Sequence, residues 1–282
     1  MIRAMRCLAA ATAILLLTSA ALAEEAAAPT PGGKSEAVDL AKKLSNPLAD
    51  LVSVPFQANW NMGVGSEDDT QWLMNIQPVV PITLSKKWNL IQRVIMPLLS
   101  QPPLVPGGET TFGFGDFLAS SFFSPADTKI IWGVGPALSI PISSSPALGS
   151  QKWSIGPTFV ILKQSGPWTY GILWNQIWSV ANSGGDDAPD VSQMYTQPFL
   201  AYTTKKAVTF TINSETSTNW KAPGGEEWTI PINLMVAKLS TFGPFPASYQ
   251  IGFGYYIESP EGGPTWKLRA AFTLLLPKKK LS

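Results

Sequence analysis

A set of polar side chains recurs at alternate positions, so that extended strands could bring them together. Gln57, Asn59 and Asn61 fall at every second residue, as do Asn75 and Gln77, while Asn175, Asn213 and Asn233 sit in similar alternating runs. Arg93, Glu215, Lys267 and Arg269 are the charged members, and Asp116 joins them if Gly113 or Gly115 forms a bulge that turns it to the same side. Side-chain amides donate and accept without selecting strongly by charge, so the chemistry expected is the solvation of a small solute, not bond breaking. The 282 residues contain no histidine, which rules out His-based triads, Asp-His hydrolytic pairs and imidazole metal sites. The paired carboxylates Asp68-Asp69, Asp186-Asp187 and Glu226-Glu227 remain. They fall in loops, where they read as a solvated acidic rim, or alternatively as sites at which divalent cations bridge to lipopolysaccharide. Gly63-Val64-Gly65 is not a nucleotide loop, since no helix follows and no lysine is suitably placed. Neither an enzymatic activity, nor a cofactor, nor a resident metal is expected.

The elements that must position this polar set have a period of two. In the hairpin from Trp153 to Ser179, Trp153, Ile155, Phe159 and Ile161 share one face against Ser154, Gly156, Thr158, Val160 and Leu162. After Gln164-Ser165-Gly166-Pro167 the second run sets Trp168, Tyr170, Ile172, Trp174 and Trp178 against Thr169, Gly171, Asn175 and Ser179. A soluble antiparallel sheet buries its large apolar face and puts charge on the other, whereas here the second face is small and uncharged. That inversion predicts lipid outside and a lumen inside. Similar runs begin near Val54, Trp72, Trp88, Thr111, Ile130, Gln193, Val208, Trp228, Tyr249 and Trp266. The expected fold is all-β: a transmembrane antiparallel up-and-down barrel of about twelve strands with a short N-terminal helix. Thr111 to Phe123 fits worst, because Asp116 falls in phase with Phe112, Phe114, Leu118 and Phe122; the sides of Gln193 to Tyr202 are not assignable.

Only 14% of side chains are charged against 45% hydrophobic, below the roughly one-quarter charged fraction of soluble domains. No apolar run outside the N-terminus is long enough for a spanning helix. Residues 1–23 read as a secretory signal: Arg3 and Arg6, the apolar Leu8 to Leu17, then Ala21-Leu22-Ala23. Cys7, the only cysteine, would leave with it. Loss of Arg3 and Arg6 leaves 18 basic against 19 acidic side chains, which gives no reason to expect nucleic acid. Residues 24–50 form a flexible leader and a short helix, with Ser35 as its cap, Ala37, Leu40, Ala41, Leu44 and Leu48 at helical spacing, and Asn46-Pro47 as its stop. Too short to be stable alone, this helix is expected either in the periplasmic mouth as a partial plug or on the membrane surface. Residues 51–282 are the barrel.

Connections alternate between long, Gly/Pro/acid-rich loops and turns of about four residues, the rhythm of external loops and periplasmic turns, with Ser240 to Pro246 the one longer turn. This orients Lys86, Lys87, Lys205 and Lys206 to the periplasm and Glu67 to Asp69 and Asp186 to Asp190 outward. Trp60, Trp72, Trp88, Trp132, Trp153, Trp168, Trp178, Trp228 and Trp266 stand near strand ends, where amphipathic rings suit a membrane interface. Strand prolines Pro55, Pro78, Pro97, Pro141, Pro157, Pro198 and Pro231 each remove a ladder donor. They mark either bulges and strand ends or a neighbouring pair that weakens the wall.

Several segments resemble a bacterial outer-membrane family described as transporters of the phenol meta-degradation pathway, often mislabelled neuromedin-like. They are Leu44-Ser45-Asn46-Pro47 leading to Ser53-Val54-Pro55-Phe56-Gln57, Asn75-Ile76-Gln77-Pro78, Arg93 with Pro97, Gly113-Phe114-Gly115-Asp116, Phe122-Phe123-Ser124-Pro125 and Leu274-Leu275-Leu276-Pro277-Lys278. The resemblance implies an outer-membrane barrel that transports small, hydrophobic or aromatic molecules. The end Lys280-Leu281-Ser282 departs from the terminal aromatic common in such barrels, a place Phe272 could fill. Expected partners are outer-membrane lipid and lipopolysaccharide, a small-molecule solute and the barrel assembly machinery. The alternative reading is a closed structural or adhesive barrel without transport.

Overall fold

The structure, a computed structural model, describes residues 34–183 and 188–276. Residues 1–23 with Cys7, the pair Asp186-Asp187 and the segment from Pro277 to Ser282 lie outside the described residues. After helix α1 (Lys34–Leu44) come β1 (Val52–Val64), β2 (Asp69–Ile76), β3 (Val79–Thr83), β4 (Trp88–Gln101), β5 (Thr111–Phe114) and β6 (Phe117–Pro125). Next are β7 (Ile131–Ile140), β8 (Lys152–Ser165), β9 (Trp168–Asn182), β10 (Ser192–Thr203) and β11 (Val208–Ser214). The chain ends with β12 (Thr216–Asn219), β13 (Trp228–Phe242), β14 (Phe245–Glu258) and β15 (Trp266–Leu276). β2 and β3, β5 and β6, and β11 and β12 are interrupted halves of single staves, so the fifteen segments make a closed antiparallel barrel of twelve strands. The barrel closes where β1 pairs with β15, from Val52 opposite Leu276 to Met62 opposite Trp266. Closure leaves no free sheet edge, which an open sheet with so apolar an outer face could not tolerate.

Alternation sets the two faces as expected from composition. Ile155, Ile161, Tyr170, Phe210, Ile212, Leu234 and Ile251 are exposed on the outer wall, whereas Ser154, Thr158, Val160, Leu162, Asn175 and Asn233 are buried inside. Exposed or half-buried tryptophans gather towards the two ends of the barrel. Trp88 packs edge-on against Trp132 at 6.0 Å and Trp168 against Tyr202 at 4.8 Å near the short turns. Trp60, Trp72, Trp153, Trp178, Trp228 and Trp266 lie towards the long loops.

Four expectations need correction. Leu118 and Phe122 do not share the outer face of Phe112 and Phe114. The ladder breaks at Gly115-Asp116, and beyond it Phe122 is 1% exposed inside while Phe123 faces out. The connection near Ser240 to Pro246 is a tight turn at Gly243-Pro244, with Phe242 directly opposite Phe245; this restores the short-turn rhythm. α1 begins at Lys34, so Ser35 lies within its first turn and Leu48 beyond its end. Prolines are not confined to bulges and ends. Pro231 does sit at a register shift and Pro78 at a stave break; Pro55, Pro97 and Pro198 lie inside strands, each opposite a break in the neighbouring stave, and Pro157 lies at a lapse in pairing. Pro55 and Pro231 are separated by β14 and β15. The prolines that do face each other are Pro136 and Pro157, across β7 and β8.

That proline pair leaves a mark on both sides. Pairing lapses in β6–β7 between Ser120↔Ala137 and Phe123↔Val134, and in β8–β9 between Ile155↔Trp178 and Thr158↔Asn175. At each lapse a glycine lets the strands approach, for a Cβ on Gly135 would collide with the Ser121 carbonyl and one on Gly156 with the Gln176 carbonyl. Gly135→Ala or Gly156→Ala should therefore destabilise the barrel by about 1–3 kcal/mol through overpacking. Gly224→Ala, in an open loop with no atom near the new methyl, should be neutral. The temperature at which the folded band is lost on unheated gels checks the difference.

Candidate functional site

Among the described residues the lumen holds two chambers with a shared polar waist, and a third cavity of about 900 Å³ beside the long-loop end, lined by Asp116, Ser150, Gln193 and Asn219. Gln57, Gln77, Arg93, Gln197, Glu215 and Arg269 line both chambers. The chamber towards the long loops has a volume of about 870 Å³, and the one towards the short turns about 280 Å³. β1 and β15 supply Gln57 and Arg269 to the waist, and their register sets Arg269 opposite Asn59, Lys267 opposite Asn61 and Ala271 opposite Gln57. This is the juxtaposition that alternation leads one to expect of the closing strands.

Glu215 stands at the break between β11 and β12, opposite the bulge at Pro231. The Arg269 guanidinium donates to both its carboxylate oxygens, from Nη1 to Oε1 at 2.7 Å and from Nη2 to Oε2 at 2.6 Å. Lys267 Nζ adds a third bond, to Oε2 at 2.9 Å. Arg269 Nε also donates to Asn59 Oδ1 at 2.7 Å. Both basic side chains originate on β15 and must reach over β14 and β13 to meet Glu215. They can do so because Gly252 and Gly254 stand opposite them, and a Cβ on Gly254 would strike Lys267 Cε and Asn233 Oδ1. The network continues upward as a chain: Lys267 Nζ lies 5.3 Å from the Tyr256 ring centroid, and Tyr256 Oη donates to Asn61 Oδ1 at 3.1 Å. Asn61 Nδ2 then donates to Gln71 Oε1 at 2.7 Å, and Gln71 Nε2 to Gln101 Oε1. Across the waist, Arg93 Nη2 donates to Gln77 Oε1 at 2.6 Å, and among the described residues no carboxylate pairs with it.

The smaller chamber is bounded by the N-terminal segment, which settles where the helix goes. α1 buries Ala37 and Ala41 against Ala207, Leu239 and Leu275, while Leu48 reaches Ile91, Phe122, Val160, Leu162 and Leu173 on another part of the wall. Gln164 Nε2 donates to the Lys42 carbonyl at 3.0 Å, and the Asn46 side chain accepts from Leu48 N at 2.9 Å, fixing the turn between the two contacts. The segment thus sits in the mouth as a plug and does not lie outside the barrel.

Of the polar set read from sequence, Gln57, Asn59, Asn61, Asn75, Gln77, Arg93, Asn175, Glu215, Lys267 and Arg269 line the larger chamber. Asn213 lines the smaller one, with Asn233 donating to it at 2.8 Å. Asp116 stands apart. It does turn inward, but it accepts from Ser150 N and Ser150 Oγ, and at 3.3 Å from Ser143 N, so it anchors the loop carrying the 3-10 turn Pro146–Leu148. Tyr195, Gln197, Gln193, Tyr256 and Gln71 complete the lining. Tyr256 and Gln71 share the parity of residues already placed inside, which was the available signal. Gln193, Tyr195 and Gln197 were hidden because aromatics occupy both faces of β10. Among the described residues no three His, Cys, Asp or Glu side chains group as a metal site.

Neither a family profile nor a characterised protein matches the sequence. Solved structures do resemble the fold. The COG4313 outer membrane channel from Pseudomonas putida F1 superposes with a TM-score of 0.58 at 14% identity, over 80% of this chain and 94% of that one. CdiB from Acinetobacter baumannii gives a TM-score of 0.39 at 9% identity, over 80% of this chain and 60% of that one. The first likeness places this chain in the twelve-stranded barrel architecture.

Glu215→Gln would leave Arg269 and Lys267 facing each other without a counter-charge. Breaking such a buried pair should cost on the order of 3 kcal/mol, read as a lower midpoint in thermal unfolding monitored by circular dichroism. A titration belongs to the long loops, where Lys152 Nζ bonds Asp190 Oδ1 at 3.3 Å. That hydrogen bond and charge hold the Asp190 carboxyl below its ordinary value. The tie is therefore present above the usual aspartate range and lost as acidification protonates Asp190. Limited proteolysis between β9 and β10 should accelerate at acid pH, and Asp190→Asn should show the faster cleavage already at neutral pH.

Proposed function

We propose that the protein is an outer-membrane channel for small solutes, exported by the segment 1–23 and inserted with its short turns in the periplasm. The observation that carries this reading is a polar, water-accessible lumen of two chambers inside a closed wall whose outer face is apolar. A wall of this kind is stable only against lipid, and a small protein has no structural need of so large an internal void. The likeness to a solved outer membrane channel supports the same reading. Its tryptophans at both ends then sit at headgroup level, outer-membrane lipid and lipopolysaccharide surround it, and the barrel assembly machinery inserts it. The described charges are arranged for hydrogen bonding and ion pairing, so the role is passage and not catalysis. Small hydrophobic or aromatic molecules are the solutes favoured by the apolar side of the larger chamber.

One observation favours the closed-barrel alternative: α1 and Leu48 occupy the mouth at the short turns. The two readings separate on conductance. The mature chain in planar bilayers should give discrete current steps, and a variant lacking residues 34–50 should give larger ones. A chain that inserts, resists heat on gels and never produces steps, with or without the plug, would be a structural barrel.

A further inference from the structure

Resting on that channel reading, we infer that the waist and the larger chamber select a small amphipathic monoanion, a carboxylate on an apolar body about the size of an aromatic ring, with Arg93 as ligand for the carboxylate. The charge balance leads there. The waist and its neighbour Lys267 carry three basic side chains against one carboxylate, and that carboxylate is fully engaged by Arg269 and Lys267. Arg93 is left with a neutral acceptor, Gln77 Oε1. Half-buried Arg93 has Glu215 across the waist but no carboxylate bonded to it among the described residues, and a guanidinium offers a planar fork that fits a carboxylate through two parallel hydrogen bonds. Because Arg93 lines both chambers, an anion bound to it lies on the axial path.

The walls specify the rest of the molecule. Ile95, Leu118, Phe122, Leu173 and Ile177 line the larger chamber from β4, β6 and β9, and β4 is the strand that carries Arg93. Asn59, Asn61, Lys267, Arg269 and Glu215 line the opposite part from β1, β15 and the β11–β12 break, while Asn175 stands between Leu173 and Ile177 on β9. A neutral aromatic would leave Arg93 unpaired, an inorganic anion would leave the apolar part wetted, and a cationic amphiphile would meet excess positive charge. The carboxylates Glu226 and Glu227 also line this chamber, but at its outer rim. Glu227 Oε2 accepts from Gly225 N at 2.9 Å and Glu226 Oε2 accepts from Glu261 N, so both are tied into the loops. Solvent and salt screen them over a Debye length of about 8 Å, while the waist charges are screened far less.

Titration calorimetry of the detergent-solubilised mature chain tests this with four probes, three of one size class (benzoate, benzyl alcohol and benzylammonium) and inorganic phosphate as an anion without an apolar body. Benzoate should bind at least about tenfold tighter than the other three, and Arg93→Gln should remove most of that advantage while Arg93→Lys restores part of it. Equal binding of benzoate and benzyl alcohol overturns the role of charge; equal binding of benzoate and phosphate overturns the apolar component. Should Arg93→Gln fail to fold, the four-probe order on the unaltered chain still decides. In bilayers, the zero-current potential under a KCl gradient should show anion preference. Steps with cation preference or none would sink this inference and leave the channel intact, whereas absence of steps sinks the channel while calorimetry still judges the site.

Discussion

Every part of this molecule answers to one constraint: a wall whose outer face is apolar must satisfy its backbone hydrogen bonds within itself. Pairing of β1 from Val52 to Met62 with the whole of β15 meets that demand at the seam, and it fixes the order of side chains inside. Once Val52 lies opposite Leu276, Arg269 has no choice but to face Asn59, and Lys267 to face Asn61. The Arg269–Asn59 side of the waist is therefore a by-product of closure register, held by the same ladder that holds the barrel.

The waist shows how a lumen can keep charges without collapsing around them. Glu215 is placed where the ladder is already interrupted, between two halves of one stave, so its side chain departs from the regular wall and meets the basic pair. Glycines on β14 provide the floor over which those side chains travel. The bidentate geometry leaves neither carboxylate oxygen free. A polar cluster satisfied this fully behaves as a fixed strut, whereas Arg93 on the opposite side keeps donors to spare.

Much of this was legible in the sequence because a strand repeats every two residues, and a single phase places a whole face. The twelve strands, the amide row of β1 and its Lys267–Arg269 neighbour all follow from that rule. It failed where the phase itself changed. At Gly115-Asp116 the break reverses Leu118 and Phe122, and nothing in the composition of that stretch says which of two glycines carries it. Along β10, Tyr195, Phe199 and Tyr202 put aromatic rings on both faces, so polarity could not separate lumen from wall. The tertiary position of α1 was equally beyond reach, since its alanine face fits a lumen wall or a lipid surface equally well. What decided it was the partner surface of Ala207, Leu239 and Leu275, assembled from three distant parts of the chain.

The plug is joined to β1 by only the short segment from Ser45 to Leu51, and β1 is the strand that closes the barrel. A group on so short a leash experiences its docking surface at an effective concentration on the order of millimolar or above. Its departure and return are then unimolecular events, independent of how much protein the membrane contains. On the channel reading proposed above, a solute crossing that mouth would meet a tethered neighbour and not a freely diffusing one, and the contest would not change with how much of the protein is present.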